Sequence, residues 1–212
     1  MPFRWEKSTV SAMAVRDAKR KMPAERHGEL LQKAVDISAQ EGLSAVTLRR
    51  VAAALDVTPG LVSHYFSSAE QLITAAFRMA ANADLDDARA RVAAAGGPAR
   101  QIDALMDYLL DDDGADASAL WLDAWSLGRR NPALAAAANA LTDAWLAWLA
   151  DIVRAGQAAG EFRQADADVA ARRLLTMIDG LGTQQVVRAV PAAELKHIAG
   201  AYVASELGLP TG

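Results

Sequence analysis

Alanine fills 49 of the 212 positions, and that choice narrows the fold more than any other feature. Alanine has the highest helix propensity and loses no side-chain rotamer freedom on ordering. β-Branched runs are scarce and aromatic residues make up only 6% of the chain. The expected fold is all-α. No uninterrupted apolar run approaches the ~20 residues that span a bilayer. The first residues lack the apolar core of a secretory signal. A membrane partner is therefore not expected, and the expected location is cytoplasmic. The absence of cysteine excludes disulfides, thiolate metal sites and a cysteine nucleophile.

Charge divides the chain. Residues 1–27 carry Arg4, Lys7, Arg16, Lys19, Arg20, Lys21 and Arg26 against Glu6, Asp17 and Glu25. Residues 81–212 carry 11 basic and 18 acidic side chains, within a net charge of −4. A basic front and an acidic rear suggest that the front alone meets a polyanion.

The first 22 residues show no sustained period and read as a basic flexible arm. A helix follows over about 24–41, with Leu30, Leu31, Ala34, Val35 and Ile37 inward and Gly42 as its stop. Thr47 is an N-cap for a two-turn helix whose Leu48, Val51, Ala52 and Leu55 recur at helical spacing. Asp56 suits the left-handed residue of a tight turn. Thr58 caps and Pro59 opens a short helix to Tyr65. Ser67 and Glu70 have capping-box spacing at the start of a long helix with Leu72, Ile73, Ala76, Phe77 and Ala80 inward. Five more helices are expected over about 99–112, 116–129, 132–156, 166–188 and 192–206, giving about nine in all.

The residues from Thr47 to Phe66 form a helix-turn-helix plan: two short helices whose second is free to enter a major groove. The candidate DNA-binding residues are Thr47, Arg49, Thr58, Pro59, Gly60, Leu61, Ser63, His64 and Tyr65. Small hydroxyls, planar rings and helix-start N–H groups suit phosphate and base-edge contacts. A helical hairpin that binds nothing would bury Val51, Leu55, Val62 and Phe66 equally well. It does not explain polar Thr58, Ser63, His64 and Tyr65 sharing the outer side.

On Leu30–Ala34, Gly42, Thr47-Leu48, Val51-Ala52, Leu55-Asp56-Val57, Gly60, Ser63-His64-Tyr65-Phe66 and Leu72, the stretch 25–77 resembles the DNA-binding domain of TetR-family transcriptional regulators. Gly60 to Phe66 is most similar to the BetI-type branch, and Trp125, Asn131-Pro132, Gly160 and Asp179-Gly180-Leu181 resemble its C-terminal domain. Two residues depart from the family pattern. Ala69 stands where the family usually has a phosphate-contacting lysine, and Asp56 where it usually has glycine. The long basic arm over 1–22 is a further oddity beside the family pattern; the resemblance implies a DNA-binding domain over 23–70 and an effector-binding and dimerisation domain over 71–212. It implies a homodimeric, ligand-responsive regulator, most often a repressor, with operator DNA, a second copy and an unknown small effector as partners. No cofactor and no enzymatic activity are expected.

In the rear half, Trp121 and Trp125 are four apart, and Trp145 and Trp148 three apart. With Met106, Tyr108, Met177 and Asp179 they are the candidate effector-binding residues: a tryptophan cage with one carboxylate suits a cationic or aromatic ligand. Core packing in an alanine-rich bundle is the competing use of each tryptophan. Leu174, Ile178, Leu181, Leu195, Ile198 and Tyr202 are the candidate dimer interface, since the last two helices carry wide apolar faces. Glu194 and His197 have the Glu-x-x-His spacing of a bundle metal site but occur once, and Asp111–Asp113 is a helix-end acidic run, so no metal is expected.

Overall fold

A computed structural model describes residues 22–112 and 114–210. The arm expected over 1–22 falls outside the described residues apart from Met22. Among the described residues there are nine α-helices, one short 3-10 turn and no strand.

Helix α1 (Pro23–Glu41) starts on proline and buries Leu30, Ala34, Ile37 and Ser38. It stops at Gly42, whose φ of +86° favours glycine. A Cβ there would also meet Asp123 Oδ2 at 2.9 Å. After the 3-10 turn Leu43–Ala45 come α2 (Leu48–Ala54) and α3 (Pro59–Tyr65). Leu30, Val51, Val62, Phe66 and Leu72 gather into one core that holds the short helices in place. Neither is long enough to be stable alone.

Helix α4 (Ala69–Ala93) begins one residue later than its expected capping box. Ser68, not Ser67, accepts the Gln71 N–H, at 3.2 Å. The Gln71 side-chain oxygen reaches back to the Ser67 N–H at 2.6 Å. Gln71 thus takes the role expected of Glu70, which is exposed. The inner stripe of α4 continues through Ala81, Leu85, Ala88 and Val92, with Ala81 buried where Ala80 was expected.

The remaining helices are α5 (Pro98–Leu109), α6 (Gly114–Gly128), α7 (Pro132–Ala158), α8 (Ala167–Arg188) and α9 (Ala192–Leu207). Gly114 opens α6 rather than closing α5, because Asp111 Oδ1 accepts its N–H at 2.8 Å. By length and composition α7 could cross a membrane, yet Leu134, Ala138, Leu141, Trp145, Leu149 and Val153 are buried inside this bundle.

Three candidate interface residues are corrected by packing. Leu174 (0% exposed) and Ile178 (6%) point into the protomer's own core with Ile102, Leu105 and Leu149, and Leu195 (1%) is likewise buried within the protomer. Leu181 packs against the same cluster. The wide faces on α8 and α9 are two-sided: one side is consumed inside the chain. The outer side keeps Ile198 (44%) and Tyr202 (37%).

Candidate nucleic-acid interface and effector cavity

The helix-turn-helix is built from its caps. Thr47 Oγ1 accepts the Arg50 N–H at 3.0 Å, and Thr58 Oγ1 accepts the Leu61 N–H at 3.2 Å. Each hydroxyl keeps its own proton to donate to a phosphate oxygen. Asp56 takes φ +52°, the left-handed turn residue that the sequence required. Thr47, Arg49, Thr58, Pro59, Gly60, Ser63 and His64 are exposed, and Leu61 and Tyr65 are half-buried. Arg49 enters no ion pair among the described residues, whereas Arg50 is drawn to Glu41, with Nε donating to Oε2 at 3.2 Å. Glu41 is held below the usual carboxylate range by that arginine. The Ser63 hydroxyl donates to the Gly60 carbonyl at 3.1 Å, and the His64 and Tyr65 rings meet edge-on at 5.2 Å. His27, which the sequence left unassigned, stacks on Phe66 at 4.9 Å and lies 6.2 Å from Tyr65.

A cavity of about 600 Å³, its open mouth included, lies among α4, α6, α7 and α8. Trp121, Trp125 and Trp145 wall it; Trp121 meets Phe77 edge-on at 5.2 Å and lies tilted against Trp125 at 5.8 Å. Asp179 and Asp84 bring carboxylates to its wall, and Ser118, Thr142 and Thr183 bring hydroxyls. Burial alone lifts Asp179 from its ordinary range to about 6. Its carboxylate accepts no hydrogen bond and meets no cation among the described residues, while the Thr183 hydroxyl donates to its backbone carbonyl at 2.8 Å. Asp84 is also raised, first by burial, with the opposing pull of a hydrogen bond from Tyr108. The Tyr108 hydroxyl donates to Asp84 Oδ1 at 2.8 Å, and burial next to that carboxylate pushes the phenol up.

Four of the eight candidate effector residues therefore come together: Trp121, Trp125, Trp145 and Asp179. The other four do not line this cavity. Met106 is buried in the core, and Met177 packs against it. Trp148 packs there too, with the Arg89 guanidinium 5.9 Å above its ring. Tyr108 lines a neighbouring cleft with Arg91 and Asp111, and reaches the cavity only through Asp84. Sequence reading missed Asp84, Ser118, Thr142 and Thr183, and it assigned Ile178 to an interface although the residue lines this cavity. Asp84 left a trace: a carboxylate three residues after Ala81 and four before Ala88 sits on an apolar stripe. Glu194 and His197 are both exposed on α9, and no cluster of three metal-binding side chains occurs among the described residues.

Residues 30–76 match the model described as bacterial regulatory proteins, tetR family, and residues 98–208 the model of the BetI-type transcriptional repressor, C-terminal. The chain is 29% identical over 196 residues to the HTH-type transcriptional regulator BetI 1 of Chromohalobacter salexigens, covering 88% of this chain and 92% of that one. It is 30% identical over 172 residues to the regulator BetI of Rhizobium meliloti, covering 78% and 80%. A protein from Saccharomonospora viridis, solved in complex with choline, shares the fold with a TM-score of 0.78 and 24% identity, over 87% of this chain and 98% of that one. With its helix-turn-helix at the front and its tryptophan-walled cavity behind, the chain belongs to the TetR family of DNA-binding transcriptional regulators, with a BetI-type C-terminal domain.

Proposed function

We propose that this regulator is a cytoplasmic homodimeric repressor released from its operator by a small organic cation. Residues 23–70 are the DNA-binding unit, and 71–212 bind effector and partner. Thr47, Arg49, Thr58, Pro59, Gly60, Leu61, Ser63, His64 and Tyr65 meet the operator. The observation that carries the cation is Asp179: a carboxylate lifted by burial, without a cation of its own, in a cavity walled by three tryptophans. A cation supplies the missing charge and gains the ring faces. Choline in the S. viridis protein supports the same chemistry. Dimerisation runs through the outer side of α9, where Ile198 and Tyr202 are exposed four residues apart, together with half-buried Leu181 on α8.

The test is fluorescence anisotropy with duplex DNA from upstream of the protein's own gene, at fixed salt. Choline should release the wild-type protein. Asp179→Asn should keep DNA affinity but need at least about tenfold more choline, the loss of about 1.4 kcal/mol. A wild-type complex indifferent to choline and to other quaternary ammonium compounds rejects the cation. Higher reporter transcription without the regulator's gene is the mark of a repressor.

A further inference from the structure

Arg129 and Arg130 make the turn between α6 and α7, and both are exposed. Neither side chain enters a hydrogen bond or an ion pair among the described residues. The turn itself is pinned. The Arg130 and Asn131 N–H groups both donate to the Leu127 carbonyl at 3.0 Å. Asn131 then fastens the turn to the start of α4 through the Glu70 carbonyl at 3.3 Å. Arg130 is thus one residue from a bond to the first turn of α4, and Tyr65 of the short helix α3 precedes Glu70 by only five residues. At this end α4 has no cation of its own: Ala69 is uncharged and Glu70 brings an exposed carboxylate. That carboxylate is held low by its own backbone N–H and by the Ser68 hydroxyl, not by an arginine. A carboxylate beside DNA repels phosphate, and a cation from a neighbouring element offsets it.

We propose that Arg129 and Arg130 grip the phosphate backbone of the operator beside the helix-turn-helix, from within the effector-binding half of the chain. This rests on the operator reading above and adds a contact that lies outside residues 23–70. A guanidinium without an internal partner suits the paired oxygens of a phosphate. Such contacts fix the position of a protein on the duplex and read no bases. The division of charge along the sequence assigned the polyanion to the front alone. The fold brings two of the 11 basic side chains of residues 81–212 to the start of α4. They follow directly on α6, the helix that carries Trp121 and Trp125 to the cavity wall.

The experiment measures affinity against salt by fluorescence anisotropy, with a duplex from upstream of the protein's own gene and a random duplex of equal length. The double variant Arg129→Gln/Arg130→Gln should lower the slope of log affinity against log salt by about 0.9–1.8, for one or two phosphates released. Both duplexes should be affected alike. Arg129→Lys/Arg130→Lys keeps the charge and should keep most of the slope; a merely structural role would lose it in both variants. A lysine introduced by Ala69→Lys into the glutamine variant should restore part of it. Where the double variant folds poorly, a second measurement stands in. The chain has no cysteine, so Arg130→Cys provides a single attachment point for an iron chelate that cleaves nearby DNA. It should cut the flank of the bound duplex. The same chelate on Ala159→Cys, at the far end of the 27-residue α7 and roughly 40 Å away, should not. An unchanged slope in a folded glutamine variant overturns the proposal and leaves the operator reading standing. Loss of slope in the lysine variant overturns it too, as does absence of cutting from position 130. A wild-type protein that binds neither duplex removes the operator reading and this contact together.

Discussion

Replacing Asp179 by asparagine should make the ligand-free protein more stable at pH 8. Burial moves this carboxyl from 3.8 to about 6. A tenfold change in proton affinity is worth about 1.36 kcal/mol of preference between the two protonation states. The folded protein holds the charge less well than the unfolded chain does, so ionisation of Asp179 opposes folding. Below about pH 4 the group is protonated in both states and the opposition vanishes. It grows as pH rises towards 6 and is constant above. The cavity mouth is open to solvent, so screening trims the full effect to about 2 kcal/mol at pH 8. In a chain of this length 1 kcal/mol moves Tm by about 2–4 °C. Asp179→Asn should therefore raise Tm by about 4–8 °C at pH 8 and by about 2 °C or less at pH 4. Thermal melts of both proteins at both pH values measure this, and the remaining carboxylates cancel in the difference. An equal difference at the two pH values, or a variant less stable at pH 8, would refute the reasoning. The same sign governs the ligand. A cation favours the ionised carboxyl, so its affinity should fall as pH drops below about 6.

Four further outcomes are expected. His64→Ala and Tyr65→Phe should each weaken operator binding by about 1–3 kcal/mol at matched salt with an unchanged melt; unchanged affinity for both removes them from the interface. Tyr202→Glu places a charge on the outer side of α9 and should give a folded monomer in sedimentation. Leu174→Ala should instead lower stability by about 2–5 kcal/mol in denaturant unfolding, because the side chain is fully buried within the protomer. Deleting residues 1–21, which hold Arg4, Lys7, Arg16, Lys19, Arg20 and Lys21, should flatten the log-affinity against log-salt slope by about 0.9 for each phosphate that the arm neutralises; equal slopes with and without the arm exclude such neutralisation.

The helix-turn-helix was legible because its signals are local. Thr47 and Thr58 cap the helices as their sequence positions indicate, and Asp56 takes the turn conformation its side chain allows. Helix ends were less legible where two residues compete for one role, as Ser67 and Ser68 do before α4. The cavity was half legible. Trp121 and Trp125 lie on one face of α6 and reach it together. Trp145 and Trp148, three apart on α7, meet at 5.5 Å, yet only Trp145 lines the cavity, while the Arg89 guanidinium lies over Trp148. Spacing places both on neighbouring rows of the helix but does not say which row meets the gap. That depends on how α4 and α8 pack against α7. Three of the six interface candidates, Leu174, Ile178 and Leu195, were illegible for a related reason. Leu174 and Leu195 are apolar and periodic, which is equally true of a protomer core and of a subunit contact. Only the exposed remainder on α9 separates the two.

The helices that wall the cavity are also tied to the DNA-binding unit by directional bonds. Asp123 stands between Trp121 and Trp125 on α6, and its Oδ2 accepts the Leu43 N–H at 2.7 Å. Gly42 leaves room for that approach. Asn131 caps α7 at Leu134 and donates to the Glu70 carbonyl at 3.3 Å and to Thr74 Oγ1 at 3.4 Å, both on α4. Asp84, also on α4, borders the effector cavity and a second cleft shared with α1 and Asp123. A ligand shifts a two-state protein only through its different affinity for the two states. On the proposed reading α6 is the element both sites share: it carries Trp121 and Trp125 to the cavity and Asp123 to the Leu43 N–H. Leaving a partly buried N–H without its acceptor costs about 1–3 kcal/mol. Coupling free energies between sites have the same size, so one such bond is sufficient for an effector response of about five- to 150-fold. Linkage then requires the converse: operator-bound protein must hold the effector more weakly than free protein by that same factor.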